Sequence, residues 1–163
     1  MYDHELGAAL LREAKDYKSL NNKQQETHNL TLLSYALARR GLEPLPVNND
    51  KHCADLVVHD SETGENFNIQ LKGRLTVRSK YLGKRVWVAF PAPDHRSFLI
   101  YPHDLAHEAL RTSGRWMKPG TIPHEKGDWD QGGWNLDLVR YVTRNAKGVV
   151  LRVFDRDCRL LRG

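Results

Sequence analysis

The apolar positions of this chain keep a helical spacing up to about residue 40 and a strand spacing through much of the remainder. Leu6, Leu10, Ala14 and Tyr17 recur at helical intervals and predict a first helix over 3–18, with Asp3 as its N-cap. The run 19–22 (SLNN) interrupts it, and Asn22 is the expected cap of a second helix that runs to Arg40 and stops at Gly41. The apolar stripe of that helix is Leu30, Leu33 and Leu37, and Glu26 lies on the same stripe. Arg39 and Arg40 occupy its last turn, where the helix dipole favours cations. Pro44 and Pro46 make 42–51 irregular or an edge strand. The stretch 54–72 (ADLVVHDSETGENFNIQLK) then predicts a strand, a turn over 60–66 with Gly64 at positive φ, and a second strand from Phe67 that continues to Val77.

Beyond the hairpin, 85–90 (RVWVAF) and 97–101 (SFLIY) predict two further strands joined by the turn 91–95. A short helix is expected from His103 or Asp104 to Ser113, ended by Gly114. The Gly-, Pro- and Trp-rich run 114–133 predicts a long surface loop, followed by a helix over 135–144 and a strand over 148–154. Helices, then consecutive strands, then a mixed tail predict an α/β (α+β) chain with a central mixed β-sheet flanked by helices. The length of 163 residues fits one domain, 1–163. Its parts are the N-terminal helices 3–40, the core hairpin 55–77 and the Trp/Gly-rich tail from about 114.

Composition narrows the partners. Apolar residues make up 40% and charged residues 28%, ordinary for a soluble globular chain. No apolar run approaches the roughly 18 residues that would suggest a membrane span. The N-terminal run lacks the basic flank and apolar block of a secretory signal. Cys53 and Cys158 show no paired metal spacing and read as reduced thiols, so a cytoplasmic location away from membranes is expected. The net charge of +5 favours an anionic partner.

Candidate chemistry concentrates in the hairpin. Side chains alternate across a strand, so Gln70 and Lys72 project to one face. A turn centred on 62–64 gives cross-strand partners whose numbers sum to about 125 or 127. Asp55 then stands opposite Gln70 or Lys72 on that face, and a one-residue slip would send it to the other. A carboxylate from Asp55, the amide oxygen of Gln70 and the backbone carbonyl of Leu71 form the hard oxygen set that Mg²⁺ prefers, with Mn²⁺ a workable substitute. Lys72 is placed to orient or deprotonate an attacking water, or to stabilise a pentavalent phosphate.

This acid, gap, Gln-x-Lys pattern resembles the PD-(D/E)XK nuclease superfamily, in the Gln variant that is similar to Mrr-type restriction enzymes and some homing endonucleases. The resemblance spans roughly 23–102 and implies a restriction-endonuclease-like core. It implies that Glu26, Asp55, Gln70 and Lys72 are catalytic. Asp55 is then the main metal ligand, Gln70 the second, and Glu26 acts through water. Ala54 stands where the family often has proline, and Gln70 removes one negative charge from the site. The implied activity is a Mg²⁺-dependent endonuclease acting on DNA. A homodimer is the expected state, because cutting both strands of a duplex usually takes two sites. The alternative class is a non-catalytic nucleic-acid-binding protein on a degenerate nuclease scaffold.

Two features bear on substrate contact. Lys72, Arg74, Arg78 and Lys80 share one parity if the strand continues past Gly73, and Lys84 and Arg85 extend the row. Such a row either tracks a phosphate backbone or decorates an edge strand against aggregation. The 114–134 run interleaves Arg115, Lys118 and Lys126 with Trp116, Trp129 and Trp134, which either stack on bases or pin the loop to the domain. His103 and His107 are four apart but lack the Glu of a zinc-protease helix, and His59 falls on the Asp55 side of the hairpin by alternation.

Overall fold

A computed structural model of the chain describes residues 9–47, 53–118, 128–131 and 133–153. Within it the first expected helix does not reach Lys18. Residues 11–16 are not helical, and Tyr17–Ser19 is a single 3₁₀ turn. Tyr17 is drawn inward instead, where its hydroxyl accepts from Asn29 Nδ2 at 2.8 Å. Asp3 and Leu6 lie outside the described residues.

Helix α1 (Asn22–Ala38) opens with a reciprocal capping box, in which Asn21 and Gln24 each accept the other's backbone N–H at 2.9 Å. The cap is therefore Asn21, one residue before the one expected; Gln25, three positions after Asn22, instead donates its amide to the Tyr17 and Leu20 carbonyls. Asn29, Leu33, Ala36 and Leu37 form the buried face of α1. Leu33 is fully buried, which contributes about 1.5–3 kcal/mol.

Six strands build one sheet: β1 (Leu42–Pro46), β2 (Leu56–Asp60), β3 (Asn66–Leu71), β5 (Val86–Pro91), β6 (Ser97–Pro102) and β8 (Val149–Arg152), side by side in that order. The β3–β5 pair is parallel and the others are antiparallel. This is an α+β fold with a central mixed sheet flanked by helices. The prolines of β1 sit on an edge strand, where a missing N–H is tolerated. The second strand of the hairpin ends at Leu71 rather than Val77. Lys72 still donates its N–H to the Ala89 carbonyl at 2.9 Å, after which the chain leaves the sheet. Strand β4 (Leu75–Val77) pairs instead with β7 (Trp129–Gln131), so the run expected to be a loop contributes a strand. Lys126, Phe154 and Cys158 lie outside the described residues.

Alternation in the sheet splits the core into two layers. Leu56, Val58, Ile69, Ala89, Phe98 and Ile100 pack against Leu33, Ala36 and Leu37 of α1. Val88, Phe90, Leu99 and Tyr101 face the other way, onto α2 (His103–Thr112), α3 (Leu136–Asn145) and β4. Helix α3 is capped by the Asn135 side chain, which accepts from the Leu138 N–H at 3.0 Å. The buried Tyr101 hydroxyl accepts from the Thr76 N–H at 2.9 Å and donates to the Thr76 carbonyl at 2.8 Å, clamping β4 to the sheet. No helix among the described residues is long and apolar enough to cross a membrane.

Candidate functional site

The hairpin register pairs Leu56 with Ile69 and Val58 with Phe67, a sum of 125, which sets Asp55 opposite Gln70. A tight turn holds this register. The Asp60 carboxylate accepts from the Glu62 N–H and the Thr63 hydroxyl, both at 2.9 Å, and Gly64 takes φ +75°. Those bonds hold the Asp60 carboxyl below its usual range, the Thr63 contact first. Asp55 is pinned on both edges of its own backbone. Its N–H donates to the Ile69 carbonyl, and its carbonyl accepts from the Val47 N–H, both at 2.9 Å.

The Asp55 side chain meets the strand as the register requires. Its Oδ2 accepts from Gln70 Nε2 at 2.5 Å and from the Leu71 N–H at 2.7 Å. Within a strand a residue's N–H and C=O point to the same side, so the Leu71 carbonyl turns toward the same edge as Asp55. Gln70 is buried to 7% exposure in a central strand, so its amide is held rather than free to wander. Turning that amide over would exchange its nitrogen for its oxygen without moving the chain.

Glu26, Asp55, Gln70, Leu71 and Lys72 all line one open cleft of about 540 Å³, together with Tyr17, Asn22, Gln25, Asn29 and Gly73. Glu26 sits at its rim, with its side chain 51% exposed and ion-paired to Lys23 at 3.1 Å. It therefore stands at the edge of the α1 core face rather than within it. Lys72 is half-buried, and its ammonium lies 5.8 Å from the centre of the Tyr81 ring. The residues lining the cleft include two carboxylates, Glu26 and Asp55, and the Gln70 amide. That set suits a hard divalent cation that keeps several waters. Among the described residues no group of three or more His, Cys, Asp and Glu comes together.

The basic residues divide. Lys72, Arg74, Arg78 and Lys80 line a second cleft, beside Thr76, Tyr81 and Asp130. The alternation expected to align them is broken at Gly73, yet the turn after β3 gathers them. Asp130 reaches across from β7 to Arg78 at 2.9 Å and to Arg74 at 3.7 Å. Lys84 and Arg85 are exposed and do not line this cleft. His59 lies on the hairpin outside the central cleft, with Nδ1 3.0 Å from the Asn66 amide oxygen. His103 is structural. Its Nε2 accepts from the Arg78 N–H at 2.9 Å and its Nδ1 faces Asp104 at 3.0 Å, so both ring nitrogens are committed.

Five cleft residues were not expected at the site from the sequence: Tyr17, Asn22, Gln25, Asn29 and Gly73. The signal for one was present, since Asn29 is a buried amide beside the leucine stripe of α1. It spends both ends, donating to the Tyr17 hydroxyl and accepting from His95 Nδ1 at 3.2 Å. No family model matches the chain, and no curated protein or solved structure is significantly similar to it.

Proposed function

We propose that this chain is a metal-dependent endonuclease of the PD-(D/E)XK type, hydrolysing phosphodiester bonds in DNA. One observation carries the reading: Glu26 of α1, Asp55 just before β2, Gln70 of β3 and Lys72 just after it line the same cleft. In this reading Asp55, the Gln70 amide oxygen and the Leu71 carbonyl would hold Mg²⁺, with Glu26 reaching it through water. When bound, such an ion neutralises charge developing on the phosphate and acidifies a water. The chain's own residues do the positioning. The Leu71 N–H fixes the Asp55 carboxylate from the strand, and Glu26 holds water at the rim. Lys72 stands where the central and basic clefts meet. Its ammonium can hydrogen-bond a phosphate oxygen or align the attacking water. The basic cleft beyond it supplies the backbone contacts from which most nucleic-acid affinity comes.

The test is cleavage of supercoiled plasmid and labelled oligonucleotides with and without Mg²⁺. Lys72→Ala and Asp55→Ala are each expected to reduce the rate at least about 100-fold, the scale of losing a charge-stabilising group. Cleavage that survives both substitutions overturns the assignment. A second reading is favoured by the Gln70–Asp55 hydrogen bond, which satisfies the pair without a cation. It is a non-catalytic nucleic-acid-binding protein, marked by salt-sensitive binding that Mg²⁺ leaves unchanged and by no cleavage at all.

A further inference from the structure

A third cleft, of about 300 Å³, opens beside the central one and shares Tyr17, Gln25 and Gly73 with it. Its walls differ in kind. The Tyr17, Phe90, His95 and Trp134 rings line it with Pro91 and Pro93, and among the described residues no Lys, Arg, Asp or Glu lines it. The aromatic walls are built in place. Tyr17 and His95 rings lie 3.6 Å apart between centroids, tilted by 32°. Buried Asn29 bonds both of them, at 2.8 Å and 3.2 Å. Burial and the nearby His28 push His95 below its ordinary pKa, which keeps that wall uncharged at neutral pH. Trp134 rests on Phe90 with centroids 5.2 Å apart and remains half-buried.

Three clefts thus meet at Gly73, two lined by charged and polar groups and one by uncharged rings. That division matches the two faces of a nucleic-acid strand, a charged backbone and flat apolar bases. In a duplex the bases are stacked and paired, so a ring-lined groove next to a phosphate cleft is of use only to a strand whose bases are exposed. We propose that this groove takes an unstacked nucleobase of the strand whose phosphate enters the Asp55–Lys72 cleft, so that the preferred substrate is single-stranded DNA. The inference rests on the nucleic-acid reading of the central cleft, and deepens it by naming the form of the strand.

The test uses binding in EDTA, where cleavage plays no part. Fluorescence anisotropy compares a single-stranded oligonucleotide with its duplex on the full chain and on Trp134→Leu and Trp134→Phe. Single strands are expected to bind at least about tenfold tighter than duplex. Trp134→Leu should weaken single-strand binding about 5- to 100-fold, the range for losing one base–aromatic stack, and change duplex binding less than about twofold. Trp134→Phe, which keeps a ring on Phe90, should retain most single-strand affinity yet lose the quenching of tryptophan emission that single strands cause in the native chain. Equal affinity for both forms, equal weakening of both by Trp134→Leu, or quenching that persists in Trp134→Phe overturns the proposal. Cleavage with Mg²⁺ is scored separately. Stacking without cleavage sinks the nuclease assignment and supports the groove, whereas cleavage indifferent to Trp134 does the reverse.

Discussion

At Asp55 a single carboxylate oxygen takes two hydrogen bonds, from the Gln70 amide and the Leu71 N–H. A neutral amide and a backbone N–H thus hold the Asp55 carboxylate against the end of β3. They also make position 70 a sensitive reporter. Gln70→Glu replaces a donor by a second anion against Asp55. In EDTA the variant is expected to lose about 1–3 kcal/mol of stability, the cost of breaking a part-buried polar pair. Millimolar Mg²⁺ should recover most of that loss, and should stabilise the variant more than the native chain, because the added carboxylate is a better cation ligand. Thermal unfolding with and without Mg²⁺ checks both halves, and an identical loss in the two conditions would detach the pair from any cation. The sequence narrowed the partner of Asp55 to Gln70 or Lys72, since the turn run over 60–66 allows a register sum of 125 or 127, and the pairing of Leu56 with Ile69 selects Gln70. The Asn29–Tyr17–His95 cluster was not readable there, because its members are brought together from separate elements and no spacing rule links them.

The segment that leaves β3 at Lys72 lines the basic cleft, and it is held by side chains of its neighbours. Tyr101 clamps Thr76, His103 accepts from the Arg78 N–H, Asp128 accepts from the Ser79 N–H at 2.6 Å, and Asp104 accepts from the Gly83 N–H at 3.0 Å. These contacts are why the strand did not run on to Val77 as its residue pattern predicted. Its inward positions, Leu75 and Val77, are buried in the layer of α2 and α3 instead of extending the hairpin. Burial depresses the His103 pKa below its ordinary 6.5, although Asp104 and Asp128 pull the other way. The neutral ring is therefore the folded form. Stability is fully present above about pH 6.5. It falls as the pH drops below that, where the unfolded chain takes up a proton that the folded chain refuses. His95 and His107 are depressed by burial too and add to the same trend. Urea unfolding between about pH 7.5 and pH 5 is expected to show the decline, at up to about 1.4 kcal/mol per pH unit for each proton involved. His103→Gln, which keeps an acceptor for the Arg78 N–H, should flatten it. An unchanged slope in that variant would remove His103 as the group responsible.

Across the whole molecule the sheet divides two cores, and the candidate site joins them. Glu26 comes from the α1 layer, while Lys72 begins the segment that enters the layer of α2 and α3. The overall class was readable because runs of alternating residues predict strands, and consecutive strands between helices predict a common central sheet. The order of strands was less so, since the parallel β3–β5 pair depends on where the 72–85 crossover travels. That crossover also explains a property of Gly73. A β-carbon built there meets no atom within 4 Å, yet the residue borders all three clefts. In the proposed reading the glycine is an open crossroads for the substrate strand, where the protein itself needs no room. Gly73→Leu is expected to leave thermal stability within about 1 kcal/mol of the native value, as for changes clear of packed atoms. Cleavage and single-strand binding should both fall at least about tenfold, by misplacing the strand. Parallel assays of unfolding and turnover check this, and native turnover in the variant would mean that the strand takes another road. A side chain installed at this one position would act as a valve, closing the passage between backbone and base without loosening the walls that form it.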